Sequence, residues 1–156
     1  MSAWRRVAIE KLPECKEQIE AAEDMGELWA DLRQALVAAH ELKNEDFIAR
    51  AYDYARWCLA ESGSPDIATS AAINFYERLP DYRRVREALH RWLSQEEFDG
   101  LRFYFRYGRT EEDYAELARE FAERKERERS GRDKMPVQGQ TGYALRRRYG
   151  RSRARS

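Results

Sequence analysis

Apolar side chains recur at intervals of three and four positions along the first 130 residues, and no other feature of this sequence constrains the fold as strongly. An α-helix turns once in about 3.6 residues, so this spacing places the apolar side chains on one helix face. The clearest run contains Met25, Leu28, Trp29, Leu32, Leu36 and Ala39. Each such helix must bury its apolar face against another helix. The pattern therefore predicts an all-α domain over residues 1–130.

Capping residues divide this pattern into short helices. Serine, threonine, aspartate and asparagine favour the N-cap, where a side-chain oxygen accepts a hydrogen bond from a backbone amide of the first turn. Residues of this kind precede the apolar runs at Asp24, Asn44, Ser64, Ser94 and Thr110. The connections between runs are short, which favours antiparallel neighbours. We expect a compact stack or bundle of about seven or eight short antiparallel helices, similar in general architecture to HEAT or TPR repeats.

One segment, LRFYFRYG at residues 101–108, fits both a strand and a helix. Large apolar side chains occupy every second position, as they do in a half-buried strand. However, a strand needs a partner, and the sequence contains no second alternating run. Phe98, Leu101 and Phe105 also fit the helical spacing. We therefore predict a helix with these three side chains on its inner face and Gly108 at its end.

Charge divides the chain near residue 130. Residues 131–156 contain eight lysines or arginines and one acid, a net charge of +7, whereas residues 1–130 carry −7, so the whole chain is neutral. The C-terminal stretch also has few apolar side chains that could offset the entropy cost of ordering it. We predict a helical domain over residues 1–130, followed by a disordered arginine-rich tail over residues 131–156.

The two cysteines and the absence of long apolar runs bear on location. Cys15 and Cys58 each lie in an amphipathic helical pattern, without a CxxC or Cys-His motif nearby, and we interpret them as buried free thiols. The first residues, MSAWRRVAIEKLPE, lack the apolar core of a signal peptide, and no apolar run is long enough to span a membrane. These observations predict a soluble, cytoplasmic protein with no membrane partner.

Motifs for catalysis or cofactor binding are weak. Glu87 and His90 form an E-x-x-H pair, but a di-iron bundle needs a second pair, and Val37 stands three residues before His40. The glycines form neither GxGxxG nor GxxxxGK, and no local signature marks a Cys-His nucleophile. We predict no catalytic, metal-binding or cofactor-binding residues and a protein that is not an enzyme. An enzyme that uses Glu87, His90 or a cysteine is the weaker alternative.

Four aromatic residues are candidates for binding a protein partner. Phe103 and Tyr107 fall outside the predicted inner face of their helix. Tyr52 and Trp57 likewise fall outside the apolar face of an earlier helix. Either neighbouring helices cover these rings, or the rings form an exposed anchor patch of the kind enriched at protein interfaces. The sequence leaves both alternatives open, and it leaves the oligomeric state open as well.

The tail is a candidate for binding nucleic acid. Its arginines could neutralise phosphates and its tyrosines could stack on unpaired bases, without preference for a base sequence. The acidic domain would repel the same phosphates, and the tail could instead dock on that domain. The candidate nucleic-acid-binding residues are Arg146, Arg147, Arg148, Tyr149, Arg151, Arg153 and Arg155.

The segments DIATSAAINFYERLP, WLSQEEFDGLRFYFRYG and TEEDY resemble an uncharacterised family of small bacterial all-helical domains. That family is sometimes compared with immunity proteins of contact-dependent toxins. The similarity spans residues 45–115, and none of its motifs is catalytic. It implies a helical fold and a binding role. The sequence thus favours a non-enzymatic protein-interaction module, with immunity-like inhibition of a partner as one role and non-specific nucleic-acid binding as the alternative.

Overall fold

A computed structural model describes residues 1–134, with side chains as far as Gly131. Every element in this range is helical, which confirms the all-α class. Two short 3-10 helices, Pro13–Cys15 and Tyr76–Asp81, accompany the α-helices. The nine α-helices of residues 1–134 are α1 Ala3–Lys11, α2 Lys16–Ala21, α3 Met25–Glu41, α4 Glu45–Ala60, α5 Pro65–Asn74, α6 Arg83–Trp92, α7 Gln95–Gly100, α8 Arg102–Arg106 and α9 Glu111–Lys134.

The segment predicted as one helix after Ser94 forms two, α7 and α8, which meet at Leu101. The amide of Leu101 donates to the carbonyls of both Glu97 and Phe98, at 3.1 and 3.2 Å. Its φ of −96° and ψ of 10° lie outside the α-helical region. Gly100 directly precedes this turn and weakens the helix there, because glycine has a low helix propensity. The choice of helix over strand for this segment is confirmed.

Five helices begin at the N-cap residues that the sequence predicts. In each, a side-chain oxygen accepts a hydrogen bond from the amide three residues later, which satisfies a donor left free in the first turn. These distances lie between 3.0 and 3.3 Å. The five N-caps are Asp24 of α3, Asn44 of α4, Ser64 of α5, Ser94 of α7 and Thr110 of α9. The Glu97 side chain also accepts from the Ser94 amide at 2.9 Å, which completes a capping box.

The Ser94 cap allows a test of local helix formation. Ser94→Ala removes the acceptor for the Glu97 amide, and we expect the free energy of unfolding to fall by about 1 kcal/mol. Ser2→Ala is the matched control, since Ser2 is the N-cap residue of α1 but its side chain accepts no cap hydrogen bond. The control should unfold at the urea concentration of the native chain, as followed by circular dichroism. Equal losses in the two variants would contradict the capping role of Ser94.

The core forms where α3, α4 and α5 pack against one another, with α1 on α4 and α6 on α3. Trp29 of α3 lies at the centre of this core and is completely buried. The centroid of its ring lies 4.9 Å from that of Phe75 and 5.3 Å from that of Tyr54. Tyr52 joins the group through Phe75, at 5.5 Å. Rings at these separations stabilise a core beyond the area that they bury, so large aromatic side chains hold the three helices together.

A second ring cluster joins α7, α8 and α9. The ring centroid of Phe98 lies 5.0 Å from that of Phe105 and 4.2 Å from that of Phe121, and all three side chains are buried. An ion pair between Arg86 and Glu120, at 2.9 Å, links α6 to α9 beside this cluster. These contacts fix α8 between the bundle and the long last helix.

The helix α9 continues to Lys134, four residues beyond the predicted end of the domain. Its charged half still contacts α6, because Nε2 of His90 lies 3.8 Å from a carboxylate oxygen of Glu128. The rest of the predicted tail, residues 135–156, lies outside the described residues, and its predicted disorder stays a prediction. Within residues 1–134, no helix has both the length and the apolar content needed to cross a membrane.

Candidate protein-interaction site

Backbone hydrogen bonds define both ends of the short helix α8. At its start, the carbonyl of Leu101 accepts from the amides of Tyr104 and Phe105, each at 3.0 Å. After its last turn, Gly108 adopts a φ of 75°, a left-handed conformation that glycine reaches without steric cost. The helix therefore ends at Arg106, two residues before the glycine that the sequence indicates, and the chain turns at Gly108 toward α9.

One face of α8 is fixed to the bundle. Phe105 is completely buried. The side chain of Arg109 is only 12% exposed and forms an ion pair with Asp81 at 2.8 Å. Its guanidinium also donates to the carbonyls of Phe105 and Glu77, at 2.9 and 3.2 Å. These contacts join the end of α8 to the 3-10 helix that follows α5, so a ring and an arginine together position α8.

The opposite side of α8 presents two large rings to solvent. Phe103 is 70% exposed and Tyr107 is 63% exposed. They stand one helical turn apart, with ring centroids 6.5 Å from each other. Tyr104 is half-buried and meets Phe103 edge-on at 5.2 Å. Exposed aromatic residues of this kind are typical anchors of protein interfaces. Phe103, Tyr104 and Tyr107 together are called the α8 face below.

Two arginines, Arg102 and Arg106, lie at the edge of the α8 face. The guanidinium of Arg102 lies over the ring of Tyr114, 5.8 Å from its centroid. In the described part of the chain, Arg102 forms no ion pair with a carboxylate. Arg106 pairs with Glu111, whose carboxylate oxygen lies 3.1 Å from Nε. The face therefore combines an apolar centre with a positively charged edge, of which Arg102 is the uncompensated part.

The helices from α1 to α7 match a known family of domains. The family is described as Domain of unknown function (DUF7674), and its sequence profile matches residues 6–99, more than half of the chain. The chain belongs to the DUF7674 family. The resemblance seen in the sequence spans residues 45–115, and the family match overlaps it over residues 45–99. No curated protein and no solved structure matches the chain.

The α8 face and the tail both lie beyond the DUF7674 segment, which ends at residue 99. Phe98, the ring on which α8 packs, belongs to the segment, whereas Phe103 and Tyr107 follow it. The DUF7674 segment thus supports the face without supplying its rings. The arginines and the tyrosine predicted to bind nucleic acid, within residues 146–155, lie outside the described residues, and that candidate stays a prediction.

Two of the four candidate rings, Tyr52 and Trp57, lie within the DUF7674 segment and not on the α8 face. Tyr52 is completely buried, because two rings from neighbouring elements cover it. Phe75 meets it edge-on at 5.5 Å, and Trp92 stacks on it at 6.1 Å. Of the two alternatives that the sequence leaves open, the covered ring is the one found for Tyr52, and this side chain is not exposed to a partner. Trp57 is half-buried and stacks on Tyr54 at 6.2 Å, so it lies at the margin of the core.

The residues considered for catalysis, Glu87, His90, Cys15 and Cys58, all lie in the described part of the chain. The Glu87 carboxylate forms an ion pair with Arg83 at 3.3 Å. Burial lowers the pKa of His90. Cys15 and Cys58 are buried and free, as predicted. Burial raises the pKa of Cys58 to about 12, so this thiol keeps its proton at neutral pH and is a weak nucleophile. No group of three His, Cys, Asp or Glu side chains within residues 1–131 could hold a metal ion.

A cavity of about 460 Å³ adjoins the start of α8, between α4 and α7. Leu59 and Leu101 line it, together with the paired side chains of Arg56 and Glu97. Nε of Arg56 lies 2.6 Å from a carboxylate oxygen of Glu97, and this hydrogen bond holds the pKa of Glu97 below its usual value. Because the two charged groups satisfy each other, the cavity offers a partner mainly apolar surface. No local sequence signal marks it, since its walls come from helices far apart in the chain.

Proposed function

We propose that this protein is a non-enzymatic interaction module that binds a protein partner through the α8 face. The observation that carries the proposal is the exposure of Phe103 and Tyr107, 70% and 63%, on a helix whose other face is buried. Large exposed rings are hydrated unfavourably, and a partner that covers them gains stability from their burial. Because Phe105 and Arg109 already hold α8 in place, binding orders few further groups, which lowers the entropic cost of association.

The partner that fits this face has an apolar recess bordered by carboxylates. Phe103 and Tyr107 stand one turn apart and would fill a single recess, as anchor residues do at the centre of an interface. Within the described residues Arg102 forms no ion pair, so its guanidinium can bind a carboxylate of the partner through two parallel hydrogen bonds, whereas Arg106 already pairs with Glu111. Basic side chains at the same place on another protein would be repelled, so the edge contributes selectivity.

Inhibition of the bound protein is the role that we propose for this complex. The sequence resemblance implies a binding role, and the family that it points to is sometimes compared with immunity proteins, which cover a functional surface of another protein. Such a role needs a rigid body and an anchor but no catalytic group. The buried helices of the DUF7674 segment provide the rigid body, and the α8 face provides the anchor.

The test is recovery of a partner from the native host with the full chain as bait. The double variant Phe103→Ala/Tyr107→Ala removes both rings, and we expect retention of the partner to fall by at least about tenfold, because anchor rings contribute about 2 kcal/mol or more. Ile73→Ala is the matched control, since Ile73 is an apolar side chain of α5 that is 41% exposed. The control should retain the partner as the native chain does.

Arg102→Glu tests the charge at the edge of the face. The new carboxylate would oppose those of the partner, so we expect binding to weaken by about tenfold at low salt and by less at high salt. Circular dichroism should show the native helix content in each variant, because the substituted side chains are exposed. A partner that binds the double ring variant as well as the native chain, or failure to recover any partner, would contradict the proposal.

A further inference from the structure

A groove of about 550 Å³ lies where the start of α1, the start of α3 and the start of α5 meet. Its lining combines three apolar side chains with three carboxylates, which are Trp4, Met25, Ile67, Glu23, Asp24 and Asp66. An aromatic ring beside carboxylates is a surface that suits a guanidinium. The flat face of the guanidinium can stack on the ring while its N–H groups donate to the carboxylates.

The chain already places one guanidinium in this groove. Cζ of Arg5 lies 4.3 Å from the centroid of the Trp4 ring, and the guanidinium donates to the carbonyl of Ala22. The groove therefore satisfies an arginine by stacking and by hydrogen bonding. Within residues 1–131, Arg5 forms no ion pair with a carboxylate, so the acidic side chains of the groove are left for another cation.

The carboxylates of the groove are exposed and largely uncompensated. Glu23 and Asp66 form no ion pair with any side chain that the structure describes. The acidic surface continues along α2 through Glu17 and Glu20, which are exposed as well. Neighbouring charges of one sign add up to a potential that attracts a flexible cation of opposite sign. The groove is thus the aromatic part of a wider acidic surface.

We propose that this groove binds the arginine-rich segment of the same chain, residues 143–155. The segment contains six arginines, two tyrosines and no acid, and all of its cations are arginines. Arginine suits the groove better than lysine because it both stacks on rings and binds carboxylates through two hydrogen bonds. The net charges of residues 131–156 and 1–130, +7 and −7, complement each other in full.

The end of α9 lies within reach of the groove. Glu128 of α9 contacts His90 at the end of α6, and the next residue, Arg91, pairs with Glu45 of α4 at 2.8 Å. This places Glu128 near the C-terminal end of α3, and α9 ends six residues, about 9 Å, further on. The groove is at the other end of α3. The 17 residues of α3 measure about 25 Å. The chain from Lys134 to Arg146 spans about 40 Å when extended, so its arginines can reach the groove.

Docking of this segment would hold its arginines away from phosphates and would neutralise the acidic groove. The contact is therefore autoinhibitory toward any binding of nucleic acid by the tail. It does not depend on the function proposed for the α8 face, because α8 contributes no side chain to the groove. The two proposals can fail separately.

A nitroxide probe at position 152 of the full chain tests the contact. Ser152→Cys provides the attachment site, and the probe should react there because burial shields Cys15 and Cys58 and raises the pKa of both thiols. In protein labelled with nitrogen-15, we expect paramagnetic broadening of the amides of Gly26 and Ile67 at about 0.05 M NaCl. The broadening should decrease by about tenfold at about 0.5 M NaCl, because salt screens exposed charges.

Charge variants and a mixed sample complete the experiment. Glu23→Lys/Asp66→Asn should reduce the broadening about fivefold at low salt, whereas Glu112→Lys, which alters an exposed carboxylate on α9, should not. Glu23→Lys alone replaces the double variant if circular dichroism shows that the latter loses helix. Broadening that is absent at low salt, or that survives the groove substitution, would overturn the proposal. The same holds if probe-bearing chains broaden these amides in probe-free chains, since the contact would then be intermolecular.

Discussion

Trp29→Ala should lower the free energy of unfolding by about 3–5 kcal/mol. Trp29 is completely buried, and its ring packs against those of Tyr54 and Phe75. The substitution removes these contacts and leaves a cavity between α3, α4 and α5 that the surrounding side chains fill only in part. Domains are stable by about 5–15 kcal/mol, so the loss is a large share of the total. Urea denaturation followed by circular dichroism measures it.

Phe103→Ala is the matched control for this substitution. It also removes an aromatic ring, but from a position that is 70% exposed. We expect it to change the free energy of unfolding by no more than about 0.5 kcal/mol, because few contacts in the free protein are lost. Similar losses in the two variants would contradict the placement of Trp29 in the core and of Phe103 on the surface.

The helical fold could be predicted because its signals are local. The N-caps at Asp24, Asn44 and Ser64 depend only on a side chain and an amide three residues later, and all three form as expected. The spacing of Leu28 and Leu32 likewise predicts one buried face, and both are buried. Local signals do not fix how the helices meet. They therefore gave one helix where the turn at Leu101 makes two.

The candidate site could be predicted only in part. Phe103 and Tyr107 lie outside the apolar face that the spacing predicts for their segment, and both are exposed. Tyr52 also lies outside the predicted apolar face of its helix, yet it is buried, because Phe75 and Trp92 from elements later in the chain cover it. The spacing within α4 contains no information on how many neighbours flank that helix. The groove at Trp4 is hidden from sequence for the same reason, since three separate helices form it.

Arginines join helices in this fold in a way that net charge does not reveal. Four of them donate from the guanidinium to a backbone carbonyl at or beside the C-terminal end of another helix, where the last carbonyls lack partners within their own helix. A positive charge there also interacts favourably with the helix dipole. The pairs are Arg5 with Ala22, Arg33 with Asn74, Arg50 with Lys11 and Arg56 with Trp92. A fifth arginine, Arg109, donates to the carbonyl of Glu77 near the start of the 3-10 helix Tyr76–Asp81. Many of the basic residues of the domain are thus structural.

Arg109→Ala tests this role where it bears on the candidate site. Arg109 is 12% exposed, and its loss leaves the carbonyl of Glu77 and the carboxylate of Asp81 without their donor. We expect the free energy of unfolding to fall by about 1.5–3 kcal/mol, the usual range for hydrogen bonds that involve a charged group. The amides of α8 should also exchange hydrogen faster, because this arginine joins the end of α8 to the bundle.

Arg83→Ala separates the role of Arg109 from a general effect of removing an arginine. The Arg83 side chain is 89% exposed and pairs with Glu87 one turn away, at 3.3 Å. An exposed pair of this kind contributes about 0.5 kcal/mol or less, so the control should unfold almost as the native chain does. Exchange in α8 should stay at its native rate in Arg83→Ala. Arg109 does not position the α8 face if both variants lose the same stability, or if α8 exchanges at the native rate in Arg109→Ala. The rigidity on which partner binding depends must then come from Phe105 and its ring contacts alone.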